Sequence, residues 1–171
     1  MIPARMGSQR LKKKNLRKLK GIPLITHAIR KCIEAGCFDE IYVNSEDEAF
    51  REIAEAEGVC FYQRPQILGD NNATSEDFIT DFLQHHECDH IIQVHSIAQL
   101  LSVDEVRDFT QEFINSGLDV YLSCIEDQIE VALNGSPVNF TFDEKTNSQN
   151  LLPTQRITWS ITGWRRETFL K

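Results

Sequence analysis

Long apolar runs are missing from this sequence; Leu24-Ile25 and Ile91-Ile92 are typical of what it has. A helix that spans a bilayer needs about 20 consecutive apolar residues, so no membrane partner is expected. The first residues also lack the apolar core of a secretory signal, and the expected location is the cytoplasm. The five cysteines, Cys32, Cys37, Cys60, Cys88 and Cys124, are odd in number and form no CxxC pair. That pattern excludes a disulfide scaffold and reads as reduced thiols, mostly filling a core. Walker A, GxGxxG and GxSxG strings are absent, as are repeats, heptads and low-complexity tracts. A net charge of −8 argues against a general nucleic-acid surface.

Acidic residues are missing altogether from the first 33 positions, which hold ten Lys or Arg. The rest of the chain sets eight basic residues against 26 acidic ones. A basic start on an acidic body suggests a local anion site, and a solvated basic face is the plainer alternative.

What is present is a regular alternation. Apolar residues at helical spacing predict helices over 22–35, 47–57, 74–85 and 103–116. Short β-rich runs predict strands over 40–45, 59–62, 90–95 and 118–124. Strands alternating with helices of this length imply βαβ crossovers, hence an α/β fold with a mainly parallel, Rossmann-like sheet flanked by helices. Such sheets bind ligands beyond the carboxyl ends of their strands. The loops after Ile2, Ser45, Tyr62 and His95 therefore share the edge where a site is expected. After Cys124 the rhythm breaks. Residues 126–156 carry Asn134-Gly135, Pro137, Asp143, Asn147 and Pro153, turn formers that suggest an inserted arm. Residues 156–164 return as a strand.

The first loop runs Pro3-Ala4-Arg5-Met6-Gly7-Ser8-Gln9-Arg10-Leu11-Lys12-Lys13-Lys14-Asn15-Leu16. It has what a nucleoside triphosphate needs: close backbone approach at Gly7, a hydroxyl at Ser8, forked cations at Arg5 and Arg10, and a point charge at Lys14. Cations there stabilise charge developing on departing pyrophosphate.

The string PARxGSxRLxxKNLxxLxGxPLI, carried by Pro3 through Ile25, resembles the signature of the acylneuraminate cytidylyltransferases (CMP-sialic acid synthetases). These are related to the CMP-octulosonate synthetases. Residues 38–47 resemble the family's FDxIxVSTDD, Arg64-Pro65-Gln66-Ile67-Leu68 its RPxxL, and residues 134–140 and 148–151 its NGxPxNF and TQDL. The resemblance implies a nucleotidyltransferase with the fold of nucleotide-diphospho-sugar transferases. Its reaction transfers CMP from CTP to an acidic 2-keto sugar, a sialic-acid-like nonulosonate, and releases pyrophosphate. It implies Arg5 and Lys14 as catalytic cations. It implies Arg5, Ser8, Arg10, Lys14, Asn15, Arg64 and Ser75 as the nucleotide set, and Mg²⁺ as cofactor. It also makes 126–156 a dimerisation arm, so a homodimer is expected.

The sequence departs from the family in four places. The expected first strand is short, which would leave hydrogen-bonding edges open. Where the family has LQPTSPLR, this chain has Val94-His95-Ser96-Ile97-Ala98-Gln99-Leu100-Leu101. His95 takes the place of the glutamine, with Gln93 one pleat away, and these two are the candidate sugar-binding residues. The family's LAxD becomes Leu68-Gly69-Asp70-Asn71. No residue matches the paired-Asp metal motif, so no metal ligand is assigned. A single domain over 1–171 is expected, truncated at both ends relative to the family. The alternative is a catalytically incomplete nucleotide-binding remnant or interaction protein of the same fold.

The sequence also carries decoys. His85-His86-Glu87-Cys88-Asp89-His90 resembles a metal cluster but straddles a helix end and a strand start. Trp159 and Trp164 read as packing residues in the last strand or an arm interface.

Overall fold

The computed structural model describes residues 1–7, 11–143 and 147–171. The elements in chain order are β1 (Ile2–Pro3), β2 (Lys18–Leu19), β3 (Ile22–Pro23), α1 (Leu24–Ala35), β4 (Tyr42–Ser45), α2 (Ala49–Ala56) and β5 (Cys60–Gln63). They continue with α3 (Ser75–His85), β6 (His90–Val94), α4 (Val103–Ser116), β7 (Val120–Asp127), β8 (Ala132–Leu133), β9 (Ser136–Pro137), β10 (Thr154–Arg165) and α5 (Arg166–Phe169). The predicted α/β alternation is present, with a parallel sheet flanked by helices.

Two compact units divide the chain: residues 1–121 with 160–171, and residues 122–159. In the first, β1 pairs in parallel with β4, and β4 with β5. The pairing continues beyond β1 through the first residue. The Met1 amine donates to Ile92 O at 2.7 Å, and Val94 N donates to Met1 O at 3.1 Å. These two bonds join Met1 to the carboxyl half of β6. On its other side β6 pairs with β10 in antiparallel register, Ile161 opposite Val94 and Arg165 opposite His90.

Helix boundaries follow local chemistry. Thr74 and Ser102 each form a reciprocal capping box, with Asp77 and Glu105 respectively. Gly117, at φ 67°, ends α4 in the left-handed conformation. The core joins Ile2, Ile25, Ile29, Val43, Phe50, Val94, Val106, Phe113 and Ile161, all buried. Burying such side chains contributes about 1.5–3 kcal/mol each, which anchors the strands whose ends carry the site.

The second unit contains the 126–156 segment. Its β8 and β9 form a hairpin around Asn134-Gly135. Asn139 holds three strands of chain together, donating to Ile129 O and Leu152 O and accepting from Val131 N.

The smaller expectations divide. Cys32 is buried, which pushes its thiol up to about 11, and Cys37 and Cys88 pack partly buried against the core, as expected of most of the cysteines; Cys60 and Cys124 are exposed. Trp159 is 53% exposed and sits at φ 56°, so it does not pack within this chain, whereas Trp164 packs edge-on against Phe169. The β2–β3 hairpin lies in what reads as loop, because Lys20 adopts a positive φ of 51° that its residue type does not announce.

Candidate active site

The carboxyl ends of β1, β5 and β6 open into a cleft of about 380 Å³. Arg5, Lys14, Asn15, Arg64, Ser75 and His95 line it together, although they lie far apart in the sequence. A larger cavity, about 540 Å³, opens around Met1, Tyr42 and His90, at the amino ends of the strands. Its described lining includes no Lys or Arg. The strand-end rule and the cations both make the smaller cleft the candidate site.

Arg5, Asn15, Arg64 and His95 are held by neighbours. Arg5 follows β1 directly and donates from Nη1 to Asp70 O at 3.1 Å and to Asn71 Oδ1 at 3.3 Å. Lys14 begins the 3-10 turn Lys14–Leu16. Asn15, buried in that turn, donates to Arg5 O at 3.2 Å and accepts from Ser96 Oγ at 2.7 Å. The space beside Gly7 is open: a Cβ there would meet nothing within 4 Å. Ser8 and Arg10 lie outside the described residues.

Arg64 is 3% exposed. It donates to Glu46 Oε2 at 2.9 Å, to Ala4 O at 2.9 Å and to Asn44 Oδ1 at 3.2 Å. Its guanidinium also lies 4.7 Å from the centre of the Phe78 ring. Burial lowers its pKa and Glu46 opposes that shift; a guanidinium stays protonated either way. Ser75 opens α3, whose N-terminal end carries partial positive charge.

His95 is half-buried, and the amide of Gln93 donates to its Nε2. Burial, and then the charge of Lys14, push its pKa down to about 4, so it is neutral at pH 7. Gln93 is 1% exposed and lies behind His95, outside the cleft lining.

Sequence reasoning missed Glu46, Asp70, Asn71, Phe78 and Ser96. An anion site is searched for by its cations, and Glu46 and Asp70 have the opposite sign. Ser96 has no local motif, because its partner is Asn15.

Among the described residues no three His, Cys, Asp or Glu side chains come together to hold a metal ion. The cleft-lining carboxylate is Asp70, whose Oδ1 already accepts from the amides of Asn72 and Ala73. Mg²⁺ needs only one or two carboxylates when phosphate oxygens supply the rest, so the cleft suits an ion carried by a nucleotide and not a closed protein site.

A parallel sheet with cations at its carboxyl edge defines an α/β protein of the kind whose ligands bind beyond the strand ends. Residues 1–159 match the sequence profile of the family described as Cytidylyltransferase. The chain belongs to the cytidylyltransferase family.

Individual relatives agree. The N-acylneuraminate cytidylyltransferase of Streptococcus agalactiae serotype V is 42% identical over 89 residues, 51% of this chain and 22% of the relative's length. The pseudaminic acid cytidylyltransferase of Campylobacter jejuni is 29% identical over 164 residues, 88% of this chain and 71% of the relative. Among solved structures, CMP:2-keto-3-deoxy-manno-octonic acid synthetase complexed with CTP matches with a TM-score of 0.75 at 19% identity. That likeness covers 98% of this chain and 73% of the other, and it shows the fold. None of the described helices is long and apolar enough to cross a membrane.

Proposed function

We propose that this chain transfers CMP from CTP to the anomeric hydroxyl of an acidic 2-keto sugar of the sialic-acid type, releasing pyrophosphate. One observation carries the reading: Arg5, Lys14, Asn15, Arg64, Ser75 and His95 line a single cleft at the sheet edge. The assembled cleft supports an enzyme over a remnant.

In this reading the sugar hydroxyl gives up its proton to solvent and its oxygen attacks the α-phosphorus of CTP, while the bond to the β-phosphate oxygen breaks and pyrophosphate leaves. Arg5 and Lys14 face the triphosphate and stabilise the charge that develops on the leaving pyrophosphate. Ser8 and Arg10 belong to the same loop. Asn15, Arg64 and Ser75 form the ribose and cytosine side, with Arg64 held rigid by its buried partners. Asp70, through the carboxylate oxygen not engaged by Asn72 and Ala73, would be the protein ligand to a nucleotide-borne Mg²⁺, which would neutralise phosphate charge. His95, neutral at pH 7, lies on the acceptor side, and Gln93 orients it as the second member of the sugar-binding pair.

The names of the relatives support a nine-carbon acidic sugar. The second unit exposes Ile129, Leu133, Val138 and Phe142, which supports a homodimer formed through the 126–156 segment. The expected location is the cytoplasm, where CTP is available.

The test is calorimetric. Wild type with Mg²⁺ binds CTP in preference to ATP, and Lys14→Ala weakens CTP binding by about tenfold or more. A folded wild-type protein with no CTP affinity would sink the reading.

A further inference from the structure

We propose that Glu46 is a positioning residue for the triphosphate loop; the proposal rests on the CTP reading given above. A carboxylate beside an anion-binding loop repels the ligand, so its presence needs a reason, and its contacts supply one. Glu46 follows the last residue of β4, and its side chain is 3% exposed. Oε1 accepts from the amide of Met6 at 2.8 Å, the amide immediately after Arg5. Oε2 accepts from Arg64 Nη2 at 2.9 Å, and that same nitrogen donates to Ala4 O at 2.9 Å. The backbone is therefore anchored to the Glu46–Arg64 pair on both flanks of Arg5.

The other side of Glu46 is closed by Gly69. A Cβ at that glycine would lie 2.3 Å from Glu46 Cγ and 2.4 Å from Cδ. The turn that holds Gly69 leads straight into Asp70, whose carbonyl receives Arg5 Nη1. Glu46 thus holds the chain after Arg5 directly and the chain before it through Arg64, and it packs against the turn on which the Arg5 guanidinium rests.

Stability alone does not account for such a group, because buried ion pairs add little over apolar residues of the same volume. Pre-organisation does: a loop already fixed before the nucleotide arrives pays no ordering cost on binding. The bare Cα of Gly69 leaves the room that the Glu46 stem occupies, so the two positions are sterically coupled.

The exchange of these two residues is the test. Glu46→Asp falls short of its partners, and Gly69→Ala pushes Glu46 away from them. Each alone is expected to weaken CTP binding by about tenfold. The double variant restores it to within about threefold of wild type. Backbone amide exchange follows the same order, faster at Met6 in each single variant and slowed again in the double. Should Glu46→Asp fail to fold, Glu46→Gln, which keeps the side-chain length, replaces it in the single-variant comparison.

Lowered melting temperatures with unchanged CTP affinity would make the role purely structural and overturn the proposal, as would additive losses in the double variant. If wild type binds no CTP, the nucleotide reading itself fails and amide exchange decides. Exchange that quickens across residues 4–7 and recovers in the double variant supports the clamp; unchanged exchange overturns it.

Discussion

Ser96 Oγ donates to Asn15 Oδ1 at 2.7 Å, tying the loop after β6 to the loop after β1 across 81 residues of sequence. Asn15 passes the restraint on to Arg5 O through its own amide. Ser96→Ala leaves that buried acceptor empty, at a cost of about 1–3 kcal/mol. Urea denaturation reads this loss, and calorimetry is expected to show weaker CTP binding. Lost stability with unchanged CTP affinity would confine the bond to the scaffold.

Arg64→Met strands the Glu46 carboxylate in the interior and is expected to destabilise the protein by about 3–5 kcal/mol. Adding Glu46→Leu recovers most of that loss, while CTP binding stays weak. Chemical denaturation of the single and double variants separates the two effects; no recovery in the double would mean that packing, and not the orphaned charge, dominates.

The depressed His95 pKa makes stability depend on acid. The unfolded histidine takes up its proton near 6.5 and the folded one near 4, so the unfolded chain binds more protons between those values. Stability then falls as pH drops from about 6.5 toward 4, with a slope approaching about 1.4 kcal/mol per unit, and this group adds no slope above 6.5. His95→Gln removes that source. The stability gap between wild type and variant, measured at pH 7.5 and again at pH 5, is expected to shift in the variant's favour at pH 5.

Gly163 lies in β10 against α4: a Cβ there would come within 2.7 Å of Phe113 Cδ1 and 3.1 Å of Ile92 Cδ1. Gly163→Ala overpacks the core and is expected to cost about 1–3 kcal/mol. Phe113→Leu in the same chain relieves part of the strain, which thermal unfolding can follow.

Much of this architecture is legible in the sequence because its signals are local. The α4 boundaries coincide with the predicted 103–116 because Ser102, Glu105 and Gly117 mark both ends within a few residues. The cleft is legible because Arg5 and Lys14 share one string and because parallel strands deliver their loops to one edge. What stays hidden depends on contacts distant in sequence. Glu46 belongs to the loop only through Met6 and Arg64, and Ser96 only through Asn15. The stitch from Met1 to β6 uses a terminal amine, which strand propensity does not count.

The antiparallel β10 has a bearing on the order of synthesis. β6 obtains its second neighbour only from residues 161–165, which leave the ribosome after the whole of the 122–159 unit. Throughout that interval a nascent chain carries β6 with one bare edge, the kind of surface that recruits stray strands. Translation speed across the second unit therefore sets how long the sheet stays open to mispairing, a hazard that ends when Ile161 settles opposite Val94.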